Sequence, residues 1–428
     1  MSPRVAPALI LSVLVILLAG PAAAQVAKDK KAPNPPKVNP QQAAAAEKTL
    51  ADFGCKLHHD DKAPGQPIDL VWFPAKTTDK DLARLVPSAA RLAGLKSIDL
   101  GDTKVTDAGL KELARLPNLE AVYLDKTAIT DAGVAELAGI PRLAWLDLSR
   151  TKVTAKSTDT LAAMKGLRHL FVGASLSTAD VAKVAGLARL QSLGISAAKP
   201  DEAVKELARL TDLKDLRLDG LSAKAAFPEF GNLTKLESLQ LRDGLGTIPG
   251  DGWKVLAGLS ELRALDVSHF AQDDWQQYTR GPGGDRGKKA RALPAAADGL
   301  AGMTGLKRLD LTGNPIGDDA LKVVGKLTGL EELSLTCTLV TLEGTKDLAG
   351  LTKLRRLRVR NAQVTNAGLR SLEPLKGLEA IWLYDNKFTE DGVNRLQKAL
   401  PRTAIFWKYP KGGGDNHHFR VPAGGYGG

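Results

Sequence analysis

One spacing restricts what this chain can fold into more than any other feature. Leucine recurs at Leu95, Leu119, Leu143, Leu167, Leu190, Leu213, Leu236, Leu262, Leu306, Leu330, Leu354 and Leu378, in steps of 24, 24, 24, 23, 23, 23, 26, 44, 24, 24 and 24 residues. Within the first period, Ile98 and Leu100 alternate with Ser97, Asp99 and Gly101. That period of two reads as a short strand with one buried face. Val105 points inward from a turn, and Thr106 and Asp107 supply oxygens suited to a helix start. Leu110, Leu113, Ala114 and Leu116 then recur at helical spacing. A single strand-turn-helix unit cannot bury its own apolar face, whereas a stack of such units can. Each leucine so buried contributes roughly 1.5–3 kcal/mol. The predicted class is an α/β solenoid of about 12 regular repeats plus caps, with a parallel β-sheet on one side and short helices on the other. The leucines are structural and carry no binding role.

The turn motif sharpens this reading. Thr103 to Leu110 reads TKVTDAGL, Thr127 to Val134 is a near-copy, and Asn361 to Leu369 and Asn386 to Val393 are looser copies. The pattern resembles the bacterial leucine-rich-repeat family with a TxVTDAGL motif, the exported type predicted in planctomycete-like bacteria. It is also similar to the repeats of F-box leucine-rich-repeat proteins. The resemblance spans about residues 45–409. It implies a horseshoe with the sheet on its concave face and helices on its convex face. It also implies a protein-interaction surface with no shared catalytic residues. No separate stretch resembles an F-box, kinase or ligase module.

Taken in order, residues 1–24 read as a signal peptide: Arg4, an apolar run from Val5 to Leu18, then Ala22, Ala23 and Ala24 before Gln25. An uncleaved anchor is the alternative, although the run is shorter than the ~20 residues of a membrane span. Residues 25–40 form a Lys/Pro-rich linker with almost nothing to bury, either a solvated spacer or a contact to an anionic envelope. Residues 41–409 are the repeat domain. Within it, 41–94 supply an amino-terminal cap and a degenerate repeat: a helix from Gln41 to Phe53, then a hairpin turning around Asp60 to Gly65. Leu70 and Trp72 are matched to the strand positions of the next unit, and the helix from Leu82 is expected to break at Pro87. Repeats one to eight fill 95–267, with a less regular helical side expected at Pro200 and around Pro228. An insertion follows at 268–299, then repeats nine to twelve at 300–401 and a carboxyl-terminal cap at 402–409. A Gly-rich disordered tail completes the chain at 410–428.

The formal charge of +11, or +10 once Arg4 leaves with the signal, suits an acidic partner or anionic polymer. Export argues against nucleic acid. The two cysteines lie about ten strands apart, roughly 45 Å at the usual strand spacing, too far for a disulfide. Cys55 is expected to be buried. Cys337, in a turn, is a packed small hydrophobe or a free thiol.

On the predicted concave face, two groups stand out in a chain with only 20 aromatic residues. One is Tyr123, Trp145, His169 and Phe171. The other is Arg356, Arg358, Arg360, Trp382, Tyr384 and Phe406. Asp99, Asp147, Asp215, Asp219, Asp266 and Asp310 dot the surface between them. Aromatic and arginine side chains dominate binding hot spots, so these ten are the candidate partner-binding residues, with self-covered rings as the bland alternative. The three arginines are expected to crowd one spot. Catalytic signatures and metal-spaced ligands are missing from the sequence. His58-His59-Asp60-Asp61 reads as a polar turn and His417-His418 as part of the tail. No cofactor is expected. The sequence therefore points to an exported, monomeric, non-catalytic module that binds a protein. A cell-wall polymer or glycan binder using Tyr123, Trp145 and Phe171 is the alternative. A hydrolase centred on the insertion, with His269, Asp273 and Asp274, is the third reading.

Overall fold

The computed structural model describes residues 39–222, 227–244, 248–268, 299–314, 316–336, 338, 340–360 and 364–408. The expected signal peptide, the linker up to residue 38, residues 269–298 of the insertion, Cys337 and the Gly-rich tail lie outside the described residues.

Among the described residues fifteen strands make one sheet in chain order. The first pair is antiparallel and every later pair is parallel. Equivalent residues stack in columns: Ile98 beside Val122, Val122 beside Leu146, Leu146 beside Leu170. All four are buried. The insertion leaves this register intact, because Leu265 still pairs with Leu309. Strands stack at ~4.8 Å, whereas helices need roughly 10 Å. A stack of such units must bend, with the sheet on its inner side.

The helices are short, for example Asp131–Leu137, Thr178–Ala185 and Glu390–Ala399. Their starts explain the TDAG signature. Asp107 accepts the Thr130 backbone N–H at 2.8 Å and its hydroxyl at 2.6 Å. Asp79 does the same for Thr106, Asp131 for Thr154 and Asp318 for Thr341. Asp201 holds Ser222, and Asn366 takes the Thr389 N–H. Each acidic side chain thus reaches forward to the next repeat. The glycine two residues further on leaves room for the aspartate of the repeat before. A Cβ on Gly109, Gly133 or Gly344 would collide with Asp79, Asp107 or Asp318, and one on Gly392 with Asn366. The sequence suggested that Thr106 or Asp107 caps its own helix. Thr106 makes no such side-chain bond, whereas its equivalents Thr130 and Thr154 do.

The amino-terminal end is closed. A helix over Pro40–Phe53, capped by Asn39, buries Ala46 and Leu50. It takes Pro40 from the end of the predicted linker. Strand Lys56–His59 pairs antiparallel with Ile68–Trp72. His58 and His59 therefore sit in a strand, not in a polar turn. Cys55 is buried, and burial pushes its thiol up to about 12, so it stays protonated and unreactive.

Three expectations need correction here. The matching of Leu70 and Trp72 to Ile98 and Leu100 is off by one residue. Val71 pairs with Ile98, while Leu70 and Trp72 pair with Ser97 and Asp99. The turn from Phe73 to the cap Thr78 is one residue shorter than that from Leu100 to Thr106, so the strand and helix offsets differ. Pro87 does not break its helix, which runs Asp79–Ala89. It lies in the last turn, where only one amide bond is lost before the helix ends anyway. The fifth repeat is regular on its helical side, because Pro200 is the first residue of helix Pro200–Leu207, a position where proline fits. Of these two repeats the sixth is the irregular one: a 3-10 segment over Phe227–Asn232 fills the space with Phe227 and Phe230.

Gly392→Ala is expected to cost about 1–3 kcal/mol of stability by overpacking. In an Asn366→Ala background the same change should cost less than half as much, because the Cβ then meets no amide group. Urea unfolding of the two single mutants and the double mutant measures this; additive costs would contradict the proposed packing.

Candidate functional site

The register fixes two columns of side chains on the open face of the sheet, opposite the leucines. Trp145, His169, Ser192 and Asp215 follow one another in one column. Tyr123, Asp147, Phe171, Gly194 and Arg217 follow in the other. Arg358, Trp382 and Phe406 continue that second column near the carboxyl end. Arg356 lies in the first column, and Arg360 and Tyr384 lie just past their strands.

The first group closes on itself. Trp145 stacks on His169 at 4.1 Å and 25°, with Tyr123 at 5.7 Å and Phe171 at 5.9 Å from the indole. His169 Nδ1 lies 2.9 Å from the Ser192 hydroxyl. Burial holds His169 down to about 4, so its ring is neutral at pH 7. Gly194 lets the Phe171 ring lie over the backbone, since a Cβ there would stand 2.5 Å from Phe171 Cδ1. The Arg217 guanidinium sits over that ring at 4.9 Å. Tyr123 is only 8% and Phe171 only 5% exposed. The expectation of four displayed side chains thus fails for these two, whose neighbours cover them. Ser192, Gly194 and Arg217 are the residues that reading missed. Their position in the same columns was the available signal.

The aspartates do not simply dot the surface. Asp99, Asp147, Asp266 and Asp310 accept the N–H of Gly101, Ser149, Ser268 and Thr312 at 2.8–2.9 Å, and so close the strand ends. Asp266 and Asp310 are strand neighbours and both buried. Burial pushes Asp310 up to about 7, with Asp266 beside it adding to the effect and Arg358 opposing it. Burial likewise pushes Asp99 up to about 6, with Asp125, Asp147 and Asp102 adding to it.

The second group is open. Arg358 lies over Trp382 at 4.6 Å, and Trp382 stacks on Phe406 at 5.4 Å and 13°. Phe406 is 41% exposed, the one exposed large hydrophobic side chain among the described residues. The three arginines do not all share one spot: Arg356 bonds Glu332 at 2.9 Å, Arg360 bonds Asp385 at 3.0 Å, and Arg358 lies over the indole within reach of the charges of Glu332 and Asp310. Tyr384 is half-buried beside them.

Among the described residues no group of three or more His, Cys, Asp or Glu side chains is placed to hold a metal ion. His58 and His59 diverge, one to Asp69 and the other to the Gln66 carbonyl. His269, Asp273, Asp274, His417 and His418 lie outside the described residues. The arrangement offers stacked rings, a cation and buried carboxylates. It suits recognition by contact.

A carboxyl raised from 3.8 to about 7 on folding binds its proton more tightly in the native state. Its contribution is full below about pH 4 and is lost as pH rises to about 7. The melting temperature should therefore fall by several degrees between about pH 4.5 and pH 7.5. Asp310→Asn should flatten that slope. Circular dichroism melts across the range check this; an unchanged slope would contradict it.

A model described as leucine-rich repeat matches residues 95–114 and 303–325. No curated protein matches the chain. Similar solved structures include an internalin of Listeria monocytogenes, at 18% identity over 87% of this chain and 95% of the internalin, with a TM-score of 0.42. A leucine-rich-repeat protein of Leptospira interrogans shares 18% identity over 74% of this chain and 91% of its own, with a TM-score of 0.36. A structure titled as a TLR13–ssRNA13 complex shares 18% over 76% of this chain and 52% of its own, with a TM-score of 0.45. The ordered parallel sheet, the leucine columns and the matched repeats give this chain the α/β leucine-rich-repeat solenoid fold.

Proposed function

We propose that the protein is an exported, non-catalytic display scaffold that binds a protein partner through the carboxyl-terminal part of the sheet's open face. The observation that carries this reading is the Arg358–Trp382–Phe406 stack, ending in a ring with 41% of its surface open to solvent. An exposed aromatic beside a cation has the composition of a binding hot spot. Stacking holds the rings in place beforehand, so little side-chain entropy is lost on docking. The leader-like residues 1–24 support export, and no helix among the described residues is long and apolar enough to cross a membrane. Export, read from the leader-like residues 1–24, favours protein over nucleic acid. The glycan reading rests on Tyr123, Trp145 and Phe171, two of which are buried; no observation favours it further. The hydrolase reading rests on residues outside those described.

Phe406→Ala and Trp382→Ala should each weaken partner binding by about 2 kcal/mol, roughly thirtyfold. Trp145→Ala should change it less than about threefold. A pull-down from envelope extract, followed by calorimetry with the purified partner, measures this ranking. The reverse ranking would move the binding surface to the amino-terminal group.

A further inference from the structure

The two ends of the solenoid are finished differently. At the amino-terminal end the first parallel strand is covered by the antiparallel strand Lys56–His59 and the helix Pro40–Phe53 packs beside it. At the other end the last strand among the described residues is Ala404–Phe406. Among the described residues no strand or helix covers its outer edge. Of the half-repeat and cap expected at 402–409, the described residues supply the strand that continues the ladder.

The backbone of that strand is set up for one more partner. Ala404 gives its N–H to the Glu379 carbonyl, and the Phe406 carbonyl takes the Leu383 N–H. In a parallel ladder successive residues turn their amides to opposite sides. Ile405 therefore directs its N–H and C=O away from the sheet, and Trp407 its N–H. These are the places that Ile381 and Leu383 fill one repeat earlier. The Thr403 carbonyl is already satisfied by the Gln397 side-chain amide at 3.1 Å. The edge thus offers one donor–acceptor pair and one further donor. Phe406 is exposed beside them, and Ile405 and Trp407 are half-buried.

Charge indicates what would add there. Exposed Arg402 and Lys408 flank the strand on either side. Lys408 lies over the Trp407 ring at 4.0 Å and pairs with exposed Glu390 at 2.9 Å, a surface ion pair that a ligand carboxylate can replace at little cost. Arg395 and Lys398 are exposed on the last helix. A second copy of this chain would bring the same cations against themselves. From Arg402 to Lys408 an extended chain covers roughly 20 Å, the length of about six residues.

We infer that the carboxyl-terminal edge strand takes an extended acidic peptide segment as a sixteenth strand, with an aromatic or branched apolar side chain at its centre on Phe406 and carboxylates at its two ends on Arg402 and Lys408. This is strand addition, in which backbone bonds supply affinity and alternate side chains supply selectivity. The inference rests on the proposed open-face reading for Phe406 and adds the edge and the chemistry of the partner.

The test uses the full chain and a fluorescein-labelled heptapeptide, Glu-Glu-Val-Phe-Val-Asp-Glu, read by anisotropy. The parent peptide is expected to bind. N-methylation of its alternate edge-facing amides, or Lys in place of its acidic residues, should weaken binding by roughly tenfold or more. Ile405→Pro, which removes the outward N–H, should do the same. Because proline can also disturb the fold, hydrogen exchange on the unaltered chain gives a second readout: the Ile405 and Trp407 amides should slow on peptide addition. No binding by the parent peptide, equal affinity after N-methylation, or unchanged exchange at both amides each overturns the edge inference. The open-face reading fails separately, if Phe406→Ala and Trp382→Ala leave binding of the purified protein partner intact.

Discussion

A carboxylate that reaches from one repeat into the next sets the geometry of this solenoid. Leucine burial explains why the repeats associate, but apolar contact is non-directional and allows sliding. The bond from Asp107 to Thr130, repeated as Asp79 to Thr106 and Asp131 to Thr154, removes that freedom. It satisfies a helix-start amide that would otherwise lack an intrahelical partner, and places negative charge where the helix dipole favours it. It also dictates the glycine that follows. Helix spacing, strand register and the columns of the open face are thus fixed together.

Those columns decide what the protein shows to solvent. A one-residue slip would exchange the leucine face for the open face, so every statement about Trp382 or Phe406 depends on register. With register fixed, side chains of adjacent repeats stand one strand spacing apart and must interact with each other before they meet a ligand. In the amino-terminal half they do so for Tyr123 and Phe171: the small residue Gly194 and the long residue Arg217 allow Phe171 to be covered from both sides. Near the carboxyl end, among the described residues, Phe406 is the last ring of its stack and is left 41% exposed.

Much of this architecture is legible in the sequence because it depends on local period. The spacing of Leu95, Leu119 and their successors fixes unit length, and the alternation around Ile98 fixes which face is buried. The columns of Tyr123, Trp145 and Arg358 follow by counting. What could not be counted was any effect between repeats. The shorter turn before Thr78 shifted the first strand by one residue. The covering of Tyr123 and Phe171 depends on the sizes of residues 23 or 24 positions away. The fan of Arg356, Arg358 and Arg360 is pulled apart by Glu332 and Asp385, which belong to neighbouring strands. The forward bond of Asp107 is of the same kind: the motif names the residues, but its partner lies one repeat on.

The carboxylate chain has a gap. The third repeat carries Ala155 where its predecessors have aspartate, and the next helix start, Ser177, pairs instead with its own Asp180 in a capping box. Solenoid stability is close to a sum of intrinsic terms and nearest-neighbour couplings. One coupling is therefore weaker at this junction than at those before it. The junction lies between Trp145 and Phe171, whose ring contact bridges it from the opposite side of the sheet. The aromatic group, however little it offers to a partner, couples the two repeats at the junction where the carboxylate bond is missing.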